Sequence, residues 1–213
     1  MTQEKEIIDT FTSLTDSMSN ICSEIDEKKI INILSNILGK KKQIEFNKNN
    51  INQEKIQQKL EKIKNKKGLY VFYGKFENVN GDLINLWNSF CEEWDKSDID
   101  YRPKIIKSRK EKVTFSKNQY IPLYVGKSNN LFKRIDQHIF YNTKKGAASK
   151  KTYALQLKNF LTKFNENFTI GCSYFVFADY NQKELVINAI HNNLLFILEC
   201  KIRHKLICFI GKD

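Results

Sequence analysis

Two short runs of aromatic and β-branched residues constrain the fold of this chain more than any other feature. The first run reads Gly68-Leu-Tyr-Val-Phe-Tyr-Gly74, and the second reads Ile121-Pro-Leu-Tyr-Val-Gly126. Both runs have the residue types and the length that are typical of β-strands, and both end at a glycine. We therefore predict two strands that each carry a tyrosine, Tyr70 on the first and Tyr124 on the second.

Helical periodicity surrounds these strands. Apolar residues that recur every three or four positions predict helices, and they do so over residues 7–25, 30–38, 56–63, 131–139, 151–164 and 184–206. Asn129 or Asn130 can cap the helix that follows the second strand. The buried face of that helix is predicted to carry Leu131, Ile135 and Ile139.

A third strand is predicted over Cys172–Ala178, where the sequence reads CSYFVFA. Short antiparallel strands with clustered helices are typical of the α+β class. We predict an α+β fold with a small antiparallel sheet of three strands flanked by helices. Residues 68–213 form the main domain in this prediction, and residues 1–67 form a helical N-terminal extension. The extension either packs against the main domain or serves as a dimer contact or DNA clamp.

The two tyrosine-bearing strands are separated by an insertion of about residues 75–119. Its first part predicts a packed helix, because four large apolar residues recur at helical spacing: Leu86, Trp87, Phe90 and Trp94. Its second part is a basic run with one acid, Glu111, among six cations. Four of these cations are candidate contacts with a DNA backbone: Lys107, Arg109, Lys110 and Lys112. A solvated basic loop is the alternative interpretation.

The overall charge favours a polyanionic partner. The formal net charge is +12 and the isoelectric point is about 9.4. Residues 68–213 contribute 23 basic against 14 acidic side chains, so most of the excess lies in the predicted main domain. Nucleic acid is the polyanion that such a positive field most often attracts.

Cysteine usage and hydropathy indicate a cytoplasmic protein. The five cysteines are odd in number and lack the spacing of metal ligands or of a disulfide framework. We therefore expect reduced thiols. No apolar run approaches the roughly 20 residues that a membrane span requires, so we expect no membrane partner.

A series of polar residues follows the second strand. It comprises Lys127 directly after Gly126, the pair Asn130-Leu131, then Arg134, and then His138. With Gly68-Leu69-Tyr70 and Tyr124-Val125-Gly126 before it, this ordered series resembles the GIY-YIG endonuclease family. The resemblance covers about residues 68–213. It implies a metal-dependent nuclease fold in which the hydroxyl groups of both tyrosines lie in the active site.

Arg134 and His138 are candidate catalytic residues. They are four positions apart, so on a helix they project from the same face, away from the predicted apolar face. The planar guanidinium of Arg134 can donate two hydrogen bonds to a scissile phosphate and can oppose the charge of the transition state. We expect His138 to act in catalysis or to support the catalytic groups.

The resemblance also gives roles to three further residues. Tyr70 activates or positions the attacking water, and Tyr124 holds water or phosphate. A tyrosine has an ordinary pKa near 10, so a base role near neutral pH needs a neighbouring cation or a hydrogen-bonded acceptor. Lys127 neutralises phosphate charge in this prediction.

The family requires one metal-binding glutamate on the last helix, and two residues compete for that role. Glu184 has a simple alternative role as an acid at a helix N-terminus. Glu199 lies among apolar residues, where its charge needs a compensating cation. We predict that Glu199 binds Mg²⁺, with Mn²⁺ as a substitute, because a hard cation is well served by one carboxylate with waters and phosphate oxygens.

The sequence thus predicts a Mg²⁺-dependent DNA endonuclease, and its small, embellished catalytic domain favours a restriction-type enzyme. A repair-type or homing-type nuclease is one alternative. A protein that keeps the fold and binds nucleic acid without cleaving it is another. One active site cuts both strands of a duplex most simply as a homodimer or by rebinding.

Overall fold

The computed structural model describes residues 42–77, 82–96, 102–110, 119–141, 153–177 and 185–211. The helices predicted over 7–25 and 30–38 therefore lie outside the described residues. In chain order the elements are β1 (Ile44–Asn47), α1 (Gln53–Leu60), a 3₁₀ turn (Glu61–Ile63), β2 (Gly68–Phe76), α2 (Leu83–Lys96), β3 (Lys104–Ile105), α3 (Lys107–Lys110), β4 (Ile121–Ser128), α4 (Leu131–Phe140), α5 (Leu157–Lys163), β5 (Phe168–Val176), α6 (Leu185–Leu206) and β6 (Ile210–Gly211).

The main sheet has four antiparallel strands in the order β1-β5-β2-β4. The α+β class is confirmed, but the prediction of three strands is wrong. The fourth strand is β1, which lies in a segment that the sequence analysis made helical. Ile44 and Phe46 are 1% exposed and form its buried face. This strand was missed because only four residues alternate within a stretch rich in lysine and asparagine.

The two faces of the sheet pack against different helices. Side chains alternate along β2, as the pleat requires. Tyr70 and Phe72 face a cluster that includes residues of α1, α2, α4 and α5. Leu69, Val71 and Tyr73 face the other cluster, which includes Leu195, Leu198 and Ile202 of α6. The central strand β2 is therefore buried on both sides, between two helical layers.

The helix predicted in the first part of the insertion is confirmed as α2. Trp87, Phe90 and Trp94 are each 2% exposed or less, and the ring of Trp87 lies 4.2 Å, between centroids, from that of Phe209. The second part forms β3, which pairs with β6 near the end of the described chain. Part of the insertion is thus built into the core.

The start of α4 follows the predicted local chemistry. The side-chain oxygen of Asn130 accepts a hydrogen bond from the backbone N–H of Lys133 at 3.1 Å, which is an N-cap. Leu131, Ile135 and Ile139 are fully buried, as predicted. The cap and the apolar face together fix the rotation of α4 and hence the directions of Arg134 and His138.

Two further features concern the helices and the cysteines. None of the described helices combines the length and the apolar character needed to cross a bilayer. The four cysteines among the described residues are unpaired thiols: Cys91, Cys172, Cys200 and Cys208.

Candidate active site

The predicted site residues meet at one edge of the main sheet. Strand β4 is the edge strand, with β2 as its sheet neighbour. One face of β4 and β2 is covered by α4, which carries Arg134 and His138. The other face is covered by α6, which carries Glu199. Charged and polar groups from the two helical layers therefore converge around the end of β4.

Tyr70 and His138 form the buried centre of this cluster. The hydroxyl of Tyr70 lies 2.8 Å from Nε2 of His138, and the two side chains are 1% and 0% exposed. Nδ1 of His138 accepts a hydrogen bond from the backbone N–H of Leu155 at 3.1 Å. Because Nδ1 accepts, the proton of a neutral imidazole is on Nε2. His138 therefore donates its Nε2–H to the oxygen of Tyr70.

This geometry corrects the expected position of His138. The i, i+4 spacing was taken to place both Arg134 and His138 on a face free of the core, but His138 is buried and packs between Tyr124 and Phe72, with ring centroids 5.1 and 5.6 Å away. Burial, assisted by the nearby charge of Arg134, lowers the pKa of His138 well below its ordinary value. A neutral imidazole that donates to Tyr70 orients this hydroxyl and does not accept its proton.

Burial also raises the pKa of Tyr70 well above its ordinary value. Tyr124 and Glu199 act in the same direction, whereas the charge of Arg134 and a hydrogen bond with it oppose the shift. Burial dominates, so the phenol stays protonated near neutral pH. With His138 Nε2–H on its oxygen, the Tyr70 hydroxyl retains its own proton for donation to another acceptor.

Gly126 makes room for Tyr70. The two residues are paired across β2 and β4, and the Tyr70 ring crosses over the glycine. A β-carbon at position 126 would collide with the hydroxyl oxygen and the adjacent ring carbon of Tyr70. The glycine that ends the second predicted strand is therefore required by close packing against the tyrosine of the first strand.

Tyr124 and Arg134 lie on the more open side of the cluster, and both are partly buried. The rings of Tyr124 and Tyr70 lie 6.2 Å apart, between centroids. Burial raises the pKa of Tyr124, while Arg134 and Arg203 lower it. The charge of Arg134 on α4 thus lowers the pKa of both tyrosine hydroxyls against the effect of burial. The Nη1 atom of Arg134 also lies 3.4 Å from the side-chain oxygen of Gln137.

Glu199 reaches the same cluster from α6. The residue is 8% exposed. Burial raises the pKa of its carboxyl group, whereas Arg203, Lys127 and Arg134 lower it. Nη2 of Arg203 donates to Oε1 of Glu199 at 2.8 Å. The cationic compensation that the sequence analysis expected for this buried acid is supplied here by Arg203. That residue was missed, although its i, i+4 spacing from Glu199 is the signal that identifies it.

Lys127 lies between the cluster and an exposed ring. Its ammonium group is 4.6 Å from the ring centroid of Phe196 on α6. Its charge also lowers the pKa of Glu199. The structure therefore brings together all six residues that were predicted as catalytic: Tyr70, Tyr124, Lys127, Arg134, His138 and Glu199.

Among the described residues, no group of three or more His, Cys, Asp or Glu side chains is placed to coordinate a metal ion. Mg²⁺ is often bound through one or two carboxylates, with waters and substrate phosphates as the remaining ligands. The single carboxylate of Glu199, beside groups suited to phosphate, fits a site of that kind. The competing candidate Glu184 lies outside the described residues.

Of the four residues of the insertion that were predicted to contact a DNA backbone, the three described ones differ in their exposure. Lys107 is exposed, whereas Arg109 and Lys110 are partly buried. Nη1 of Arg109 donates to the backbone oxygen of Cys208 at 3.0 Å, so this guanidinium helps to tie α3 to the segment before β6. Lys112 lies outside the described residues.

No protein-family model, curated protein or solved structure matches the chain. The resemblance to GIY-YIG nucleases therefore stays a prediction that depends on the motif residues and their order.

Proposed function

We propose that this protein is a Mg²⁺-dependent DNA endonuclease. The observation that carries the proposal is the convergence of one guanidinium, two tyrosine hydroxyls, one lysine and one buried carboxylate at the β4 edge. These groups come from the neighbouring strands β2 and β4 and from two helices, α4 and α6, which cover opposite faces of the sheet. A purely structural ion pair between Glu199 and Arg203 would not require the other groups to gather there.

The arrangement suits a phosphodiester. Arg134 and Lys127 supply fixed positive charge where a phosphate would gain negative charge during attack by water. The planar fork of Arg134 also orients two phosphate oxygens, which an ammonium group cannot do. The excess of positive charge over the whole chain favours association with a polyanionic strand.

Tyr70 positions the reacting groups in this proposal and does not act as a general base. Its raised pKa leaves the phenol protonated, and the hydrogen bond from His138 fixes its orientation. Tyr70 is 1% exposed, so its hydroxyl acts by positioning the groups around it, Tyr124 and Arg134. Tyr124, on the more open side, contacts the water or phosphate.

Glu199 would hold the metal ion. A bound Mg²⁺ supplies a Lewis acid that neutralises charge on the scissile phosphate and the leaving oxygen. The chain's own contribution is to keep the carboxylate ionised, which the neighbouring Arg203 and Lys127 favour against the effect of burial.

A second candidate function is the binding of nucleic acid without cleavage. The ion pair between Glu199 and Arg203 favours it, because Arg203 already compensates the carboxylate that the metal would use. DNA as partner is common to both proposals. The restriction-type role, cleavage by a homodimer and the cytoplasmic location are finer proposals that depend on the first.

The test is incubation of the full chain with supercoiled plasmid in Mg²⁺, in Mn²⁺ and in EDTA. We expect nicked or linear products with either metal ion and none in EDTA. Arg134→Ala should lower the cleavage rate on the order of 10²-fold or more, as the loss of a transition-state contact does. Lys133→Ala is the matched control, since Lys133 is an exposed cation on the same helix.

Wild-type rates in Arg134→Ala would remove Arg134 from the site. Tight DNA binding without cleavage in either metal ion, on several plasmid and genomic substrates, would establish the second candidate function. Sequencing of product ends from mixed genomic DNA separates the restriction-type role from the repair-type and homing-type roles, because a restriction-type enzyme cuts at one fixed short sequence.

A further inference from the structure

A small pocket lies next to the candidate active site, between the end of β4 and the middle of α6. It has a volume of about 260 Å³ and is lined by Lys127, Ser128, Asn129, Asn192 and Leu195. We call it the β4–α6 pocket. Pockets for complete small-molecule ligands have volumes of roughly 300 to 1,000 Å³. The β4–α6 pocket is therefore suited to one planar group of a longer molecule.

Phe196 stands beside this pocket and is 55% exposed. It belongs to the same helix as Asn192 and lies four residues later, so the two side chains share a helical face. The ammonium group of Lys127, a lining residue, lies over the Phe196 ring. This cation–π contact holds an aromatic surface at the rim of the pocket.

The polar lining has the chemistry of base recognition. Asn129 and Asn192 are exposed, and each amide offers both a donor and an acceptor, as the edges of nucleobases do. Ser128 is instead used in the fold, because its hydroxyl donates to the backbone oxygen of Asn130 and accepts from that residue's N–H. The floor of the pocket is apolar at Leu195, which is 2% exposed.

The pocket is continuous with the candidate active site. Lys127 lines the pocket and also lowers the pKa of Glu199 through its charge. Phe196 precedes Glu199 by three residues on α6, which is the spacing of neighbours along a helix surface. A group stacked on Phe196 would thus lie next to a phosphate bound by Lys127 and Arg134.

We propose that the β4–α6 pocket binds one nucleobase of the substrate strand, with the base stacked on Phe196 and its edge against Asn129 and Asn192. The proposal rests on the proposed nuclease function and adds a subsite to it. An exposed aromatic ring beside a cation is the arrangement by which single-stranded nucleic acids are held, because every base has a face that can stack. The base next to the scissile phosphate is the one within reach.

The test is equilibrium binding of a fluorescein-labelled single-stranded DNA of mixed sequence, measured by anisotropy in EDTA so that no cleavage occurs. Phe196→Ala should weaken binding between roughly 5-fold and 150-fold, the range that corresponds to the stacking contribution of one base. Phe196→Trp keeps a stacking surface and should bind within about 2-fold of the wild type on the same reasoning. The slope of log affinity against log salt should be unchanged in both variants, because no phosphate contact is lost.

Ile84→Ala is the matched control, since Ile84 is an exposed apolar residue, 59% exposed, on α2. It should bind DNA like the wild type. Thermal melting of each variant checks that the fold is intact. Wild-type affinity in Phe196→Ala would overturn the proposal. Equal weakening in the Ala and Trp variants would also overturn it, because the ring would then be needed for local packing.

Plasmid cleavage by the same preparations separates this proposal from the proposed function. If the wild type cuts DNA and Phe196→Ala binds equally well, the base subsite alone fails. If the wild type neither binds nor cuts DNA, the proposed function fails, and the subsite fails with it. A wild-type dimer that Phe196→Ala converts to a monomer would assign this surface to a second copy of the chain and would overturn the proposal.

Discussion

Removal of one buried hydroxyl tests the internal geometry of the site without any substrate. The hydroxyl of Tyr70 receives the Nε2–H of His138 at 2.8 Å. Nδ1 of the same ring accepts the N–H of Leu155. The imidazole therefore cannot move its proton to Nδ1 without breaking that second contact. Tyr70→Phe should leave the Nε2–H of His138 without an acceptor.

The expected cost follows from burial. His138 is fully buried and Tyr70 is 1% exposed, so water does not replace the lost acceptor. An unsatisfied buried donor costs about 1 to 3 kcal/mol. For a urea dependence of about 2 kcal/mol/M, a loss of about 2 kcal/mol lowers the unfolding midpoint by about 1 M. The destabilisation should therefore be large enough to measure by urea titration.

The structure offers a matched control in the strand next to Tyr70. Tyr174 on β5 is paired with Tyr70 across the sheet, and its buried hydroxyl has no hydrogen-bond partner among the described residues. Tyr174→Phe removes a hydroxyl of the same kind that satisfies no donor. Its free energy of unfolding should be equal to or higher than that of the wild type.

The assay is urea unfolding of both variants and the wild type, followed by intrinsic fluorescence. An unfolding free energy for Tyr70→Phe within error of the wild type would refute the assigned hydrogen bond. Equal losses in the two variants would also refute it, because the effect would then belong to any buried tyrosine of the sheet.

Three further predictions concern neighbouring parts of the molecule. Burial lowers the pKa of His138 well below its ordinary value of about 6.5, so on acidification the unfolded state binds a proton before the folded state does. The unfolding free energy should therefore fall as the pH drops below about 6.5, by up to about 1.4 kcal/mol per pH unit. This slope, measured by urea titration between pH 7 and 5, should be smaller in His138→Gln; equal slopes would contradict it. Reversing the charge of Lys107 and Lys110, with Arg109 kept because it binds the Cys208 carbonyl, should flatten the salt dependence of DNA affinity; an unchanged slope would favour a solvated basic loop. Asn130→Ala should lower the unfolding free energy by about 0.5 to 2 kcal/mol through loss of the N-cap of α4, and an unchanged urea midpoint would rule out that contribution.

Local sequence chemistry was sufficient to predict the strands and helices that frame the site. Strands β2 and β4 were identified from dense aromatic and β-branched runs, and α4 from its cap and apolar spacing. Strand β1 was missed because a four-residue strand has too few alternating positions to stand out. Its assignment depends on pairing with β5, which is more than 100 residues away in sequence.

The sequence predicted which residues gather at the candidate site, but it did not predict how they are buried or how they contact one another. Helical spacing placed His138 beside Arg134, but only tertiary packing decides that α5 and its preceding loop cover the histidine and leave Arg134 partly open. Arg203 was not predicted, because a buried carboxylate can be compensated by a metal ion as well as by a guanidinium, and the sequence alone does not distinguish the two. The raised pKa of Tyr70 could not be predicted either, since it depends on complete burial.

In the proposed function, Glu199 serves the cleavage of DNA and not only the stability of α6. The direct measurement is the rate of plasmid cleavage in Mg²⁺ by the wild type and by Glu199→Gln at equal occupancy of the DNA. The amide keeps the shape of the side chain and removes the charge that would hold the ion. DNA affinity, measured in EDTA, should be retained or increased, because a negative charge near the phosphates is lost.

Arg203→Gln is the companion variant, since it removes the same ion pair from the other side. We predict cleavage by the wild type, measurable cleavage by Arg203→Gln, and DNA binding without cleavage by Glu199→Gln. Cleavage by Glu199→Gln at the wild-type rate would contradict the role of Glu199, and no cleavage by the wild type in any divalent ion would contradict the proposed function.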